Sequence, residues 1–137
     1  MLGALLVSLN GRKVKLTTRS YRRSLRGEEV VAFLKQVLRI VPGEIVLVWD
    51  NHPIHQRQLV QEFLAENPRM HVYNFPICAP ELNPVEFVWT QVSEHIANFA
   101  PHNMPELSTR VNNGVARTRN SARRLAACLA SCELSWK

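Results

Sequence analysis

A proline-rich segment, FPICAPELNPVEFVW, constrains the fold of this chain more than any other stretch. It spans residues 75–89, and its prolines are Pro76, Pro80 and Pro84. Proline fixes φ and lacks a backbone N–H, so these residues cannot form a long strand or the interior of a helix. We therefore expect an ordered loop here, followed by a helix from about Asn83 to Phe99.

Segments with strand-like and helix-like patterns alternate along the rest of the sequence. Asn10-Gly11 lies between two strand-like runs and predicts a β-hairpin, because both turn residues tolerate positive φ. A helical repeat of apolar residues over 28–41 is followed by Pro42-Gly43, which stops a helix. The continuous apolar run 45–49 predicts a parallel strand that is buried on both faces.

The remaining segments complete an alternating order. Pro53 is expected to begin a helix that carries Val60, and residues 69–75 have the pattern of a strand. Pro105 is expected to open a single last helix that extends past Leu125. The predicted order is β, β, α, β, α, β, loop, α, α. Strands that alternate with helices after an opening hairpin indicate an α/β protein with a mixed sheet.

The composition indicates a globular protein whose basic charge favours a nucleic-acid partner but does not by itself establish one. The chain has 137 residues, enough for one domain with a core, and 46% of them are hydrophobic while 20% are charged. No apolar run approaches the roughly 18 residues that indicate a membrane-spanning helix. The formal net charge is +6, and 13 of the 17 Lys and Arg residues are arginine, the preferred planar donor to phosphate.

Two basic clusters are candidate contacts to a DNA backbone. The first comprises Arg12, Lys13, Lys15, Arg19, Arg22, Arg23 and Arg26. The second comprises Arg117, Arg119, Arg123 and Arg124. Contacts of this kind position DNA without reading its sequence. The alternative for the first cluster is a solvated hairpin surface without a partner.

The three cysteines, Cys78, Cys128 and Cys132, form an odd number without the spacing of a disulfide framework. This usage favours a reducing, intracellular setting. Cys128 and Cys132 lie four residues apart, so we expect them on one helix face as small buried hydrophobic residues.

Asp50 is the only aspartate of the chain, and it directly follows the apolar run 45–49. Ligands of open α/β sheets bind at the carboxyl ends of strands. Between Asp50 and Glu86 lie 35 residues, predicted as helix, strand and loop, and this path can return the chain to the same end of the sheet. Two convergent carboxylates suit Mg²⁺, which prefers hard oxygen ligands.

Structural roles explain the same two residues locally. Asn83-Pro84-Val85-Glu86 matches a capping box, with Asn83 at the N-cap and Glu86 at the third helical position. Asp50-Asn51-His52-Pro53 matches a turn that enters a helix. Local chemistry alone leaves these alternatives open.

Together the two segments resemble the catalytic core of the DDE transposases, in particular the mariner superfamily and its bacterial insertion-sequence relatives. That family shares a strand that ends in D-N-x-x-x-H, which here is Asp50-Asn51 with His55. It also shares the loop L-P-x-Y-x-P-x-L-N-P-I-E-x-x-W, of which this chain keeps Pro76, Pro80, Leu82, Asn83, Pro84, Glu86 and Trp89. The spacing of the two acids is also that of the family, and the resemblance covers about residues 1–100.

The resemblance implies a ribonuclease-H-like fold, a mixed sheet flanked by helices, and Mg²⁺- or Mn²⁺-dependent cleavage and joining of DNA strands in transposition. Asp50 and Glu86 match the second and third acids of the D-D-E triad and are the implied catalytic residues and metal ligands. Residues that would support this site are Asn51, His55, Pro80, Asn83, Pro84 and Trp89. The implied partners are DNA and other transposase subunits in the cytoplasm of a bacterium, at its nucleoid, with no membrane and no small-molecule substrate.

The first aspartate of the triad has no counterpart in this sequence. Residues 1–49 contain no aspartate, and the first, central strand that carries it in the family is also unmatched. We therefore expect residues 1–104 to form a partial catalytic domain, with 105–137 as a helical extension packed on it. This predicts the C-terminal part of a transposase that is inactive on its own. The alternative is a non-catalytic remnant that binds DNA or an intact transposase and regulates or interferes with it.

Overall fold

The structure, a computed structural model, describes residues 1–133, which contain four strands and five α-helices. The strands are β1 (Leu2–Val7), β2 (Val14–Arg19), β3 (Ile45–Trp49) and β4 (Met70–Asn74). The α-helices are α1 (Gly27–Ile40), α2 (Gln58–Glu66), α3 (Pro84–Ile96), α4 (Met104–Arg119) and α5 (Ala122–Ser131). No helix among these residues is long and apolar enough to cross a membrane. The predicted α/β class is confirmed.

The chain divides into two compact units. The first combines Met1–Gly3 with Thr18–Ala79 and holds α1, α2, β3 and β4. The second combines Ala4–Thr17 with the described residues from Pro80 onward and holds α3, α4 and α5. The strands pair as two separate two-stranded sheets, β1 with β2 and β3 with β4. Each of the two candidate carboxylates therefore belongs to a unit of its own.

The hairpin of β1 and β2 turns at the predicted Asn10-Gly11 pair. Gly11 has a positive φ of 67°, a conformation that glycine adopts without steric cost. The Asn10 Oδ1 atom accepts hydrogen bonds from the Arg12 N–H (3.0 Å) and from the Ser8 hydroxyl (2.7 Å). The connection spans residues 8–13, so it is wider than a two-residue turn. The predicted hairpin is confirmed in position.

Helix α1 is the amphipathic helix that the apolar periodicity predicts. Its buried side chains include Val30, Phe33, Leu34 and Val37, each at most 7% exposed. Because these positions recur with the helical repeat, one face of the helix is removed from water. Helix α1 packs against α2, whose Val60 is fully buried.

A buried carboxylate lies at the start of α1. The Glu29 side chain is 2% exposed, and its Oε1 atom lies 2.6 Å from the Arg23 Nε atom. Its Oε2 atom accepts a hydrogen bond from the Arg26 N–H (2.8 Å). Burial alone would raise the pKa of Glu29, but the backbone N–H donors and the Arg23 guanidinium outweigh it and hold the pKa below its ordinary value. The ionised form of Glu29 therefore stabilises the folded first unit.

Replacing Glu29 with glutamine is expected to reduce the acid sensitivity of the fold. The folded state holds the pKa of Glu29 below the unfolded value of about 4.3. The stabilisation is therefore complete above that pH and is lost as the pH falls through the folded pKa. Urea unfolding from about pH 7 to about pH 3 should show that Glu29→Gln starts less stable than the wild type and loses less stability on acidification.

The matched control for this experiment is Glu28→Gln, which changes an exposed neighbour in the same helical turn. This variant should keep the acid dependence of the wild type. If Glu29→Gln also keeps it, the ionised Glu29 carboxylate does not stabilise the fold.

Strands β3 and β4 are parallel, in a register that pairs Ile45 with Met70 and Val48 with Tyr73. Ile45 and Met70 are buried on one face of this pair. On the other face Val46 is 62% exposed and Val48 is 41% exposed, so the predicted burial of β3 on both faces is wrong. Burial on both faces requires a covering layer on each side of a parallel sheet. The first unit provides that cover on one side.

The helix predicted from Pro53 is divided in two. Pro53–Gln56 form a single 3₁₀ turn, and Arg57 leaves the helical conformation (ψ 139°) before α2 begins. The His52 Nδ1 atom accepts the Ile54 N–H (3.2 Å) and caps this turn. The residues after β3 therefore form a loop that is distinct from α2.

The predicted last helix is also divided in two, so the expectation of a single helix is wrong. Helix α4 begins after Asn103, whose Oδ1 atom accepts the Glu106 N–H (2.8 Å), and Pro105 lies in its first turn. Helix α5 begins after a new N-cap, Ser121, whose hydroxyl accepts the Arg124 N–H (3.3 Å). A serine cap starts a helix without the proline or glycine that would have revealed the break in the sequence.

A single side-chain amide links the three helices of the second unit. The Gln91 Nε2 atom of α3 donates to the Arg124 C=O (3.2 Å) and to the Cys128 Sγ atom (3.1 Å) of α5. Its Oε1 atom accepts a hydrogen bond from the Thr118 hydroxyl of α4 (3.2 Å). Thr118 is 2% exposed, and Cys128 and Cys132 are buried as predicted. The polar atoms at this interface are thereby hydrogen-bonded, as buried polar groups must be.

Candidate metal centre

The carboxyl end of β3 is tied to the residue that follows β4. The C=O of Trp49, the last residue of β3, accepts a hydrogen bond from the Phe75 N–H (2.8 Å). The Asn51 Nδ2 atom donates to the Phe75 C=O (2.7 Å). Asp50 therefore lies between two residues that are anchored to the neighbouring strand. This is the end of the sheet at which α/β proteins bind ligands.

The Asp50 carboxylate has one oxygen engaged and the other open. Its Oδ1 atom accepts the His52 N–H (3.1 Å) and lies 3.0 Å from the His55 Nε2 atom. Its Oδ2 atom has no hydrogen-bond partner in residues 1–133, and the side chain is 58% exposed. The turn that the sequence allowed at this position is present, but it uses Oδ1 alone. Oδ2 is accessible to a ligand.

His55 is held between Asp50 and an aromatic ring. Its imidazole stacks on the Trp49 indole, with ring centroids 4.1 Å apart and an angle of 11° between the planes. His52 meets the imidazole edge-on, with centroids 6.2 Å apart. Burial lowers the pKa of His55, and the opposing attraction of the Asp50 charge does not outweigh it, so the ring is neutral at about pH 7.

The neutral His55 ring carries its proton on the nitrogen that faces Asp50. A neutral imidazole has one N–H donor and one bare nitrogen, and an ionised carboxylate only accepts. The Nε2 atom, 3.0 Å from the Asp50 Oδ1 atom, is therefore the donor, an assignment that follows from the hydrogen-bond geometry. The Nδ1 atom is buried and has no partner in the described part of the chain.

Glu86 is exposed in the first turn of α3. Asn83 is the N-cap of this helix, and its Oδ1 atom accepts the Val85 N–H (3.2 Å). The second half of the capping box does not form, because the Asn83 N–H donates to the Pro80 C=O (3.0 Å) and not to Glu86. Within residues 1–133 the Glu86 carboxylate has no hydrogen-bond partner. It is free of the structural role that the sequence allowed.

The prolines before α3 are rigid elements of its backbone. Pro80 begins the 3₁₀ turn Pro80–Leu82, and the buried Pro84 is the first residue of α3, where the missing N–H has no helical partner to lose. Trp89 follows Glu86 by three residues and is half-buried. The direction in which α3 starts is therefore well defined.

Five of the residues around the predicted site come together at the end of β3. They are Trp49, Asp50, Asn51, His52 and His55. The convergence of Asp50 and Glu86 on one ion stays a prediction. No group of three or more His, Cys, Asp or Glu side chains in residues 1–133 is arranged as a metal site. Mg²⁺ is usually held by one or two carboxylates together with waters and substrate phosphates. The open Oδ2 atom of Asp50 is therefore a ligand of the type that Mg²⁺ prefers.

Some of the predicted DNA-contacting cations already form side-chain contacts within the protein. Arg23 pairs with the buried Glu29, and the Arg117 Nη1 atom lies 3.1 Å from the His95 Nδ1 atom. Arg124 is half-buried. The exposed members of the two clusters are Arg12, Lys13, Lys15, Arg19, Arg22, Arg23, Arg26, Arg117, Arg119 and Arg123.

Comparison with known proteins identifies the family. The family of DDE superfamily endonucleases matches residues 4–107, a range that includes both Asp50 and Glu86. The insertion element IS630 uncharacterized 39 kDa protein of Shigella sonnei is 36% identical to this chain over 52 residues. That alignment covers 38% of this chain and 15% of the length of the relative. This chain therefore belongs to the DDE superfamily endonucleases, as its resemblance to insertion-sequence transposases predicts.

Proposed function

We propose that this chain supplies two catalytic carboxylates of an insertion-sequence transposase, which cuts DNA strands and joins them to new sites. The observation that carries the proposal is the Asp50 carboxylate at the end of β3, with Oδ1 held by two donors and Oδ2 open. Asp50 and Glu86 would hold Mg²⁺ or Mn²⁺. In two-metal phosphoryl transfer, one bound ion would activate the attacking oxygen and the other would stabilise the leaving oxygen. The attacking group is a water in cleavage and a freed 3′-hydroxyl in joining.

The residues around the two carboxylates act as supports in this proposal. Asn51 ties the loop after β3 to the end of β4. Pro80, Asn83 and Pro84 reduce the backbone freedom before α3 and cap its first turn. Trp89 supports the same end of that helix. A catalytic site must be held to within about 0.5 Å, and these rigid segments are suited to that task.

The proposal extends to the arrangement of the chain and to its partners. It includes a ribonuclease-H-like mixed sheet flanked by helices, whose first, central strand has no counterpart in this sequence. It also includes a catalytic part at residues 1–104 and a helical extension at 105–137. DNA is the partner on which the site acts, and other transposase subunits complete the active assembly.

A third carboxylate for the D-D-E triad is difficult to find before Asp50. The acidic residues in this part of the chain are Glu28, Glu29 and Glu44. Glu28 and Glu29 lie in the first turn of helix α1 and not at the end of a strand, and Glu29 is also buried in its pair with Arg23. The Glu44 Oε2 atom lies 2.6 Å from the His71 Nε2 atom. We therefore expect the 137-residue chain to bind a divalent ion but to leave DNA uncut.

Titration with Mn²⁺ and a plasmid-nicking assay test the two parts of this expectation. Electron paramagnetic resonance measures the free Mn²⁺ that remains as protein is added, and a chain that binds no Mn²⁺ would contradict the proposed function. Nicking that requires Mn²⁺ and is lost in Asp50→Ala would contradict the expected inactivity of the chain alone, while supporting the metal site.

Neutralising two exposed lysines of the hairpin is expected to weaken the salt dependence of DNA binding. Each lost phosphate contact changes the slope of log K against log [salt] by about 0.9, so Lys13→Gln/Lys15→Gln should reduce the magnitude of the slope by about 1.8. Fluorescence anisotropy of a labelled duplex at several salt concentrations measures this slope.

The control for the lysine variant removes the same charge elsewhere. Lys35→Gln/Arg39→Gln neutralises two exposed cations of α1 that lie outside both basic clusters. Its slope should remain close to that of the wild type. An equal change in the two variants would mean that net charge alone governs binding, and it would contradict the proposed backbone contacts of the hairpin.

A further inference from the structure

We propose that His55 is a positioning residue that orients the Asp50 carboxylate for metal binding. The His55 Nε2 atom donates a hydrogen bond to Asp50 while the imidazole is stacked on the Trp49 indole. The inference rests on the proposed function, because it assigns to His55 the task of orienting a metal ligand. His55 itself would touch neither the ion nor the DNA.

The position of the imidazole is fixed by contacts on its face and its edge. The parallel stack on Trp49 at 4.1 Å restrains the plane of the ring, and the edge-on contact with His52 restrains its rotation within that plane. The His55 side chain is 14% exposed, so little of the ring is free to move into solvent. The Nε2 atom is therefore presented to Asp50 from a rigid platform that β3 itself provides.

A fixed donor on one oxygen orients the other oxygen. Asp50 is 58% exposed, and an exposed carboxylate without a partner would sample several rotamers. The His55 Nε2 atom and the His52 N–H both bind Oδ1, so rotation of the carboxylate would break two hydrogen bonds. Oδ2 is thereby left pointing away from both donors. Partners of this kind orient metal ligands, and their loss typically weakens metal affinity about 10- to 100-fold.

The remaining ring nitrogen argues against a different task for His55. The Nδ1 atom is buried without a hydrogen-bond partner in residues 1–133, so it cannot reach a substrate or an ion at the surface. Burial of an unpaired polar atom is unfavourable, and a large hydrophobic side chain at this position would avoid that cost. The hydrogen bond from Nε2 to Asp50 is the interaction that only a polar ring at this position provides.

Two substitutions separate the hydrogen bond from the stack. His55→Phe keeps an aromatic ring on Trp49 but removes the donor, whereas His55→Gln removes the ring but keeps an N–H donor at the position of Nε2. His71→Gln is the matched control, because His71 forms a similar bond to Glu44 (2.6 Å) away from the candidate site. Thermal unfolding followed by circular dichroism establishes that each variant is folded before its affinity is measured.

The Mn²⁺ affinity of the full chain gives the first readout. We expect His55→Phe to bind Mn²⁺ about 10- to 100-fold more weakly than the wild type, and His55→Gln to recover most of this loss. His71→Gln should bind like the wild type. If His55→Phe binds Mn²⁺ as tightly as the wild type while Asp50→Asn does not, the metal site stands and the positioning role of His55 is overturned.

The lone aspartate of the chain gives a second readout that needs no metal. Labelling with aspartate that carries ¹³C at the side-chain carboxyl yields a single carboxyl resonance, from Asp50. This resonance should shift in His55→Phe and remain close to the wild-type position in His55→Gln and His71→Gln. An unshifted signal in His55→Phe overturns the positioning role whether or not Mn²⁺ binds. A shifted signal together with no Mn²⁺ binding by the wild type supports the contact and overturns the proposed function.

Discussion

Replacing Asp50 with asparagine is expected to lower the affinity of the chain for Mn²⁺ by at least about 100-fold, since loss of a mere supporting partner already costs about 10- to 100-fold. Asparagine has the size of aspartate but offers a neutral carbonyl oxygen in place of a charged one. The two hydrogen bonds to Oδ1 hold the side chain in place, so the change acts on the ligand and not on the loop. Titration followed by electron paramagnetic resonance measures the affinity.

Combining this change with Glu86→Gln tests whether the two carboxylates share one ion. Glu86→Gln alone should also weaken Mn²⁺ binding, because its carboxylate has no hydrogen-bond partner among residues 1–133 to occupy it. If both residues bind the same ion, the Mn²⁺ affinity of the double variant should be only slightly lower than that of the single variant that binds Mn²⁺ more weakly. The reason is that the effects of coupled sites are not additive. Independent, additive losses would contradict a shared ion.

Glu81→Gln is the matched control for the two carboxylate variants. Glu81 is exposed, belongs to the same proline-rich segment and has no place in the motif. Its replacement removes one negative charge and should leave the Mn²⁺ affinity close to that of the wild type. A loss as large as that of Glu86→Gln would mean that Mn²⁺ responds to overall charge and not to Asp50 and Glu86.

The second large effect is expected for stability, with Arg69→Met lowering the free energy of unfolding by about 2–4 kcal/mol. The Arg69 Nη1 atom donates to the Val41 C=O (2.7 Å) and to the Gly43 C=O (2.8 Å), and Nη2 donates to the Leu38 C=O. The last carbonyls of a helix lack partners within the helix, and a cation there also complements the helix dipole. Methionine keeps much of the side-chain volume but satisfies none of these carbonyls.

Urea unfolding followed by circular dichroism measures the loss in Arg69→Met. Arg39→Met is the matched control, because Arg39 lies exposed in the last turn of the same helix and should cost only a few tenths of a kcal/mol through the dipole. Arg69→Lys should recover less than half of the loss, since an ammonium lacks the planar fork that reaches several carbonyls. Equal stabilities of Arg69→Met and Arg39→Met would refute this account.

The features that were predictable from the sequence are those set by local pattern. The apolar repeat gave α1 almost to the residue, and the apolar run gave the strand that ends before Asp50. The resemblance in motif predicted the family, which is confirmed. Each of these depends on residues that are close together in the chain, where periodicity and turn chemistry carry the information.

The features that were missed depend on contacts between distant residues or on weak stop signals. Arg69 reaches carbonyls about 30 residues earlier, at Leu38 and Val41, and no local pattern encodes such a bond. The stack of His55 on Trp49 was also missed, although an aromatic residue directly before Asp50 was a usable signal. The exposed face of β3 could not be foreseen because an apolar run has the same appearance whether one or both faces are covered.

The hydrogen bonds of the Gln91 amide determine the direction in which Glu86 projects from α3. Both side chains belong to α3, five residues apart, which is about 7.5 Å along the helix axis. The Gln91 side chain is hydrogen-bonded to Thr118 of α4 and to the Arg124 C=O of α5. Helix α3 therefore cannot rotate about its axis or shift along it without breaking one of these hydrogen bonds. Partly buried hydrogen bonds between the helices of the second unit therefore fix the orientation of Glu86, although Glu86 itself is exposed.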